Sequence, residues 1–271
     1  MVCPVGASLP VPLRAEAEIE VNIPQSGMNQ RLVLRVPGWP GSAPGQFVML
    51  SPGALAAVPR TDPLLPRPMA VYRGAGERIE ILYRRSGRGT ALLAEARAGE
   101  RVGLVGPLGR PFALPAPGER ALLVGGGTGI ASLYGLAAAL GGGATVLLGA
   151  RSAVDLMGRE DFEALGAALA IATEDGSAGL RGLVTDLLER ELARGGPARV
   201  YACGPTPMMR RCAELAAGAG AAAIVSLENH MACGYGVCLG CAVPVRAGGY
   251  ALVCRDGPVF AASDVAWEGL A

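Results

Sequence analysis

The sequence predicts an antiparallel β-barrel, then a doubly wound parallel α/β domain, then a small cysteine-rich domain at the C-terminus. Three observations predict this. Up to about residue 115, short alternating runs are separated by Pro and Gly turns, as in a barrel. From about residue 120, apolar runs alternate with helical stretches, the rhythm of a parallel sheet. The last stretch, from Glu228, holds four of the seven cysteines. The expected boundaries are 1–115, 116–227 and 228–271.

Within the first part, strands are expected at Ala17–Ile23, Arg31–Val36, Gln46–Leu50, Met69–Tyr72, Arg78–Tyr83 and Arg101–Val105. A short helix is expected over Gly89–Arg97 with Thr90 as its N-cap. Two segments there carry chemistry. Arg67-Pro68-Met69-Ala70 places a cation beside a strand. Leu82-Tyr83-Arg84 leads through a Gly turn to Gly89-Thr90 at a helix start. Arg and helix-start amides together suit a diphosphate. From spacing alone, arginines capping a barrel rim explain the same pattern.

Pro107–Pro117 reads as a linker. Parallel strands are then expected at Arg120–Val124, Ala144–Gly149, Ala168–Thr173, Arg199–Ala202 and Ala222–Leu227. Helices are expected near 129–140, 153–167, 182–194 and 206–218. Gly125-Gly126-Gly127-Thr128-Gly129 follows the first of these strands and opens a helix. Glycines in that place let backbone N–H groups approach a pyrophosphate. Cys203-Gly204-Pro205 ends the fourth strand, where open α/β sheets bind ligands. Each turn read by itself is equally a packing device.

Cys233, Cys238 and Cys241 have the spacing C-x4-C-x2-C, and Cys254 follows after twelve intervening residues. This is the ligand spacing of a plant-type [2Fe–2S] cluster. Three thiolates must come from one tight loop, and Gly234, Gly236 and Gly240 make that loop possible. A zinc site favours two C-x2-C pairs or Cys/His mixtures, and no partner C-x2-C is present. The tail is too short for a core of its own, so the cluster is expected to staple it.

Composition excludes other classes. The chain of 271 residues has a net charge of +1, no basic patch and no charge run, so nucleic acid is not an expected partner. Ala121–Ala150 carries no charge and is long enough to suggest a membrane span. Its repeated glycines parse it better as strand, turn, helix, turn and strand. The start, Met1-Val-Cys-Pro-Val-Gly6, lacks the pattern of a signal peptide, which points to a reducing, cytoplasmic setting. Cys3 and Cys212 take no part in any motif.

In this order, Arg67-Pro68-Met69-Ala70, Leu82-Tyr83-Arg84, Gly89-Thr90, Gly125–Gly129, Cys203-Gly204-Pro205, the cluster loop and Cys254-Arg-Asp-Gly-Pro-Val-Phe260 resemble the ferredoxin–NADP reductase superfamily. More narrowly they resemble the electron-transfer subunits of NAD-dependent dihydroorotate dehydrogenase B. The resemblance spans nearly the whole chain and implies FAD on the barrel, NAD(H) on the α/β domain and a [2Fe–2S] cluster in the tail. It implies that Arg67–Ala70 and Leu82–Arg84 line the flavin and that Gly89 and Thr90 bind its diphosphate. Gly125–Gly129 and Cys203–Pro205 would then serve the nicotinamide nucleotide. The superfamily's Arg-x-aromatic-Ser pattern is absent, since Met69 and Ala70 stand in the last two places.

The implied partner is a catalytic subunit carrying FMN that oxidises dihydroorotate, in a heterotetramer with two copies of each subunit. A flavin reconciles hydride transfer with one-electron transfer, and the sequence offers no acid–base constellation. His230 reads as a neighbour of the cluster loop and not as a general base, and Glu228 and Asp256, which flank the same region, read as solvated or turn residues. Met231, Tyr235, Val237 and Leu239 are candidates either for docking or for packing. Glu174 and Asp175 favour NAD over NADP, whereas Arg151 argues the other way. Alternatives are a related reductase subunit serving a sulfite reductase, a hydrogenase or a bifurcating transhydrogenase, or a non-catalytic cluster protein that senses nucleotide.

Overall fold

The structure, a computed structural model, describes residues 9–53, 55 and 62–270; Cys3 lies outside the described residues. The first sheet contains β1 (Leu13–Pro24), β2 (Asn29–Arg35), β3 (Phe47–Ser51), β4 (Arg67–Ala70), β5 (Arg73–Ala75) and β6 (Arg78–Arg84). After helix α1 (Arg88–Glu95) comes β7 (Arg101–Leu108), and the strand order is β4-β3-β7-β1-β2-β6-β5, antiparallel throughout. Strand alternation sends Ala17, Ile19, Leu32, Leu34, Ile79 and Ile81 into one core. The sheet curls until the Tyr72 N–H donates to the Glu80 carbonyl at 2.9 Å, which brings the end of β4 against β6.

The short helix forms where expected, but Thr90 is not its N-cap. Gly87 holds that place and Thr90 is the third helical residue. Its hydroxyl reaches back to accept the Ser86 and Gly87 N–H groups at 2.9 and 3.1 Å. Glycine offers no capping side chain, so the threonine one turn later closes the end.

The second sheet begins with β8 (Arg120–Gly126), α2 (Ile130–Leu140), β9 (Ala144–Ala150), α3 (Arg159–Ala164), β10 (Ala168–Thr173) and β11 (Leu180–Arg181). It continues with α4 (Val184–Ala193), β12 (Ala198–Cys203), α5 (Thr206–Gly218) and β13 (Ala222–Ser226). The order β11-β10-β9-β8-β12-β13 is parallel and doubly wound, as expected. The uncharged stretch from 121 to 150 is β8, α2 and β9, and among the described residues no helix is long and apolar enough to cross a membrane.

One expected helix is broken. The segment 153–167 contains a single 3-10 turn, Ala153–Asp155, and then α3. Between them Gly158 takes φ +68°, and a Cβ there would lie 2.6 Å from the Tyr72 hydroxyl. The break admits the barrel. The Tyr72 hydroxyl donates to Asp161 at 2.8 Å, Arg73 pairs with Asp161 at 2.9 Å, and Arg31 pairs with the same carboxylate. The proline-rich segment after β7 is packed too: Phe112 is buried, and the Tyr201 hydroxyl donates to the Ala113 carbonyl at 2.9 Å.

The tail forms β14 (Ala242–Pro244), β15 (Tyr250–Leu252) and β16 (Val259–Ala261). Strand β16 adds antiparallel to β13, with Val225 opposite Phe260. Val243, Leu252, Val253, Val265 and Trp267 share one core with Val200, Met209 and Val225 of the nucleotide domain. The tail, expected to have no core of its own, shares that of the nucleotide domain. An added edge strand and a shared core fasten it.

Candidate functional site: a nucleotide cleft, a barrel rim and a cysteine loop

A cleft of about 690 Å³ opens at the carboxyl ends of the parallel strands. Its walls include Gly126, Gly127 and Thr128 after β8, Ala150 and Arg151 after β9, Glu174 after β10, and Gly204 and Pro205 after β12. This is where an open α/β sheet binds its ligand. Two turns separated by more than seventy residues of sequence meet here. A Cβ on Gly129 would overlap the Cys203 carbonyl and the Gly204 nitrogen, and one on Gly204 would lie 2.8 Å from the Gly126 oxygen. Gly127, at φ +55°, faces open space, so its backbone is free to approach a ligand. Gly125 is buried against Ile130. Pro205 caps α5.

Cys203 lies in this turn, yet its side chain points away from the cleft into the core. Burial pushes its thiol up to about 12. Cys212 on α5 is likewise buried and pushed up to about 12 by burial. Glu228, read from sequence as a turn residue or solvated, is exposed and lines the cleft. Its carboxyl meets water at the cleft mouth but is crowded on its other sides, and that burial raises its pKa. Nothing local in the sequence marks it; the signal is its place just after the last parallel strand.

The barrel motifs also converge. A Cβ on Gly89 would lie 2.5 Å from the Arg67 Nε, so this guanidinium rests on the start of α1. The first amides of that helix are unpaired within it and carry its positive end. Arg67 donates only to the Leu65 and Pro66 carbonyls among the described residues, which leaves its charge uncompensated. This cradle fits a diphosphate. Pro68 and Ala70 are partly exposed, whereas Met69 is buried in the barrel core. Tyr83 is buried there as well, and its hydroxyl meets Asn22 at 3.1 Å. Leu82 packs toward the nucleotide domain. Arg84 reaches the cleft and pairs with Asp155 at 2.8 Å. The barrel rim and the cleft are thus contiguous.

The four tail cysteines fall into two pairs. Cys233 faces Cys238, and the Cys241 and Cys254 sulfurs are 3.2 Å apart. The loop is built to serve the sulfurs. Gly234 and Gly236 take φ of +87° and +85°, and Leu239 at +60° is the one described non-glycine residue with positive φ. The Val237 N–H points to the Cys233 sulfur at 3.4 Å. Burial pushes the Cys233 thiol up, but N–H groups of Cys238, Tyr235 and Val237 outweigh this and bring it down to about 6. Burial and the adjacent Cys241 push Cys254 up to about 12, and two sulfurs so close ionise together only around a cation.

The loop sits on the barrel, since a Cβ on Gly234 would meet Met49 at 2.5 Å and Leu108 at 3.0 Å. Met231 is buried in the core. Tyr235, Val237 and Leu239 are exposed by 57, 74 and 63%. The two readings of this set therefore divide between packing, for Met231, and an open surface, for the rest.

Comparisons with known proteins agree with this geometry. Residues 228–266 match the family model of the iron-sulfur cluster binding domain of dihydroorotate dehydrogenase B, and residues 123–214 match the oxidoreductase NAD-binding domain. The electron transfer subunit of dihydroorotate dehydrogenase B (NAD(+)) from Desulforamulus reducens is 37% identical over 235 residues, covering 84% of this chain and 88% of that one. The Bacillus caldolyticus protein of the same description is 43% identical over 231 residues, covering 82 and 86%. Among solved structures, one of an NADH-dependent reduced ferredoxin-NADP oxidoreductase, described for flavin-based electron bifurcation, superposes with a TM-score of 0.80. It is 29% identical and covers 98% of this chain and 92% of that one. A ferredoxin reductase of carbazole 1,9a-dioxygenase shares the fold, with a TM-score of 0.65 at 21% identity over 78% of this chain and 67% of its own. With such identity over most of both lengths, this chain belongs to the family of electron transfer subunits of NAD-dependent dihydroorotate dehydrogenase B, oxidoreductase subunits that use NAD, FAD and an iron–sulfur centre.

Proposed function

We propose that the chain carries electrons between NAD(H) and a catalytic subunit that contains FMN and interconverts dihydroorotate and orotate. One observation carries this reading. The barrel touches both other sites, through Arg84 at the nucleotide cleft and through Met49 and Leu108 under the cysteine loop. A flavin bound on the barrel exchanges the electron pair of a hydride for the single electrons an iron–sulfur centre carries.

The residues divide the work. Arg67 and the Gly89 and Thr90 amides bind the flavin diphosphate, Thr90 through its backbone because its hydroxyl closes the helix end. Pro68, Ala70 and Arg84 flank the flavin. Met69, Leu82 and Tyr83 shape that surface from beneath. Gly126, Gly127 and Thr128 present backbone to the nucleotide, while Gly125, Gly129, Cys203, Gly204 and Pro205 hold the two turns together. Cys233, Cys238, Cys241 and Cys254 hold the irons. Glu174 disfavours a 2′-phosphate, and Arg151 supplies a cation at the same end of the cleft.

The units 1–115, 116–227 and 228–271 are proposed as the flavin, nucleotide and cluster domains. The exposed Tyr235, Val237 and Leu239 are proposed as part of the face that meets the catalytic subunit, in an assembly with two copies of each. None of the six described cysteines is bonded to another cysteine, which suits a reducing cytoplasm. A second reading, a reductase subunit of a bifurcating enzyme, has the 29% identical structure in its favour. Identities of 37 and 43% favour the first.

The test is co-purification with the catalytic subunit, a mass measurement of the complex and a visible spectrum. Flavin and cluster bands that bleach on adding NADH, with orotate formed from dihydroorotate and NAD, are expected. A protein that stays colourless after reconstitution, or that co-purifies with an unrelated partner, would defeat the proposal.

A further inference from the structure

We infer that Arg255 holds the reduction potential of the cysteine-loop cluster up, with Asp256 as its counterweight. The inference rests on the cluster reading above. Arg255 directly follows Cys254, and its stem lies along the loop that joins Cys233 to Cys238. A Cβ on Gly236, at φ +85°, would meet the Arg255 Cδ at 3.0 Å and its Cβ at 3.3 Å. Glycine there leaves a slot that the arginine stem fills. Arg255 lines one groove together with Gly234, Tyr235 and Cys254.

The guanidinium is held in place. Its Nε and Nη2 meet the two Asp256 oxygens at 3.0 and 3.3 Å. Asp256 is itself pinned, since its Oδ2 accepts the Leu252 N–H at 2.8 Å. The carboxylate therefore faces a backbone donor as well as the arginine, while the arginine stem faces the cluster loop. A [2Fe–2S] centre, whose two irons would be accompanied by two inorganic sulfides and four thiolates, would be anionic, and taking up an electron would make it more negative. A fixed cation beside it favours the reduced form and raises the potential, and an anion lowers it. The guanidinium is partly in water, so salt weakens the effect.

The test uses the full-length, cluster-loaded protein and an EPR-monitored redox titration at low salt. Arg255→Gln is expected to move the midpoint to a more negative value, because it leaves Asp256 uncompensated. Arg255→Lys is expected to restore most of the parent value. Asp256→Asn is expected to move it the opposite way, and all differences are expected to shrink at high salt. An Arg255→Gln midpoint equal to the parent's, with an unchanged EPR line shape, would overturn the inference. If that variant loses its cluster, Asp256→Asn decides: a rise supports the inference and no rise overturns it. A parent protein that binds no cluster overturns the underlying reading instead, so the two failures are distinct.

Discussion

Gly129 lies against the backbone of Cys203, with no space for a Cβ between them. The contact joins the turn after β8 to the turn after β12 and sets the width of the nucleotide cleft. Gly129 has φ −62°, so alanine suits its backbone and only the clash is new. Gly129→Ala is expected to cost about 1–3 kcal/mol, the range for overpacking a close contact. Parting the turns is expected to weaken NADH binding roughly tenfold, which is about 1.4 kcal/mol. Thermal melting and a direct titration check both. An alanine variant with parental stability and parental Kd would sink this account of the cleft.

Asp161 joins the domains by a different means. It takes Arg31, Arg73 and the Tyr72 hydroxyl on one carboxylate, and Arg73 also lies over the Tyr134 ring at 4.7 Å. Burial pushes this carboxyl up, but the bonds from Arg31 and Tyr72 and the charges of Arg31 and Arg73 outweigh it and leave the pKa below the ordinary value. Asp161→Asn is expected to destabilise the protein by about 2 kcal/mol at pH 7, less than a fully buried pair because Arg73 is partly exposed. The contribution is fully present above the unfolded carboxyl pKa of about 3.9. It is lost as the pH falls through the lower folded value. Chemical denaturation at pH 7 and near pH 3 is expected to show the gap between parent and variant closing at the acid end.

These two contacts mark what was legible in the sequence. Alternation and turn residues located six barrel strands and five parallel strands, because each buries a face or a whole run. Strands β5, β11, β14, β15 and β16 were not legible, since two or three residues carry no period. The break at Gly158 was hidden because its cause, the Tyr72 hydroxyl, lies far off in the chain. The cysteine spacing was local and therefore readable. The meeting of Gly129 with Cys203, and the turn of the Cys203 side chain into the core, belong to tertiary packing.

The tail's own packing leads to a test of what fastens it. Trp267 is buried, its indole N–H donates to the Ala262 carbonyl at 3.1 Å, and β16 continues the main sheet. Removing iron with a chelator is expected to loosen the loop 233–241 while leaving β16 and Trp267 in place. In a Trp39→Phe background, the Trp267 emission maximum is expected to stay blue-shifted after the cluster is gone, and protease cuts are expected to concentrate in the loop. An emission shift to that of exposed tryptophan would show that the cluster, not the shared core, holds the tail.

Glu228 carries the last expectation. Burial holds its carboxyl pKa above the ordinary value of about 4.3. A raised carboxyl favours folding while it is protonated. Stability is therefore lost as the pH rises from the unfolded pKa through the folded one, and the penalty is complete above the latter. Glu228→Gln removes the charge and keeps the shape, so the variant is expected to melt higher than the parent at pH 8 and at nearly the same temperature at pH 4. Glu228 lines the nucleotide cleft, so a role toward the ligand is expected. NADH oxidation is accordingly expected to slow in the same variant, with a changed pH profile. Equal melting temperatures at pH 8 would mean that the carboxylate is well solvated at the cleft mouth, and its claim on the site would lapse.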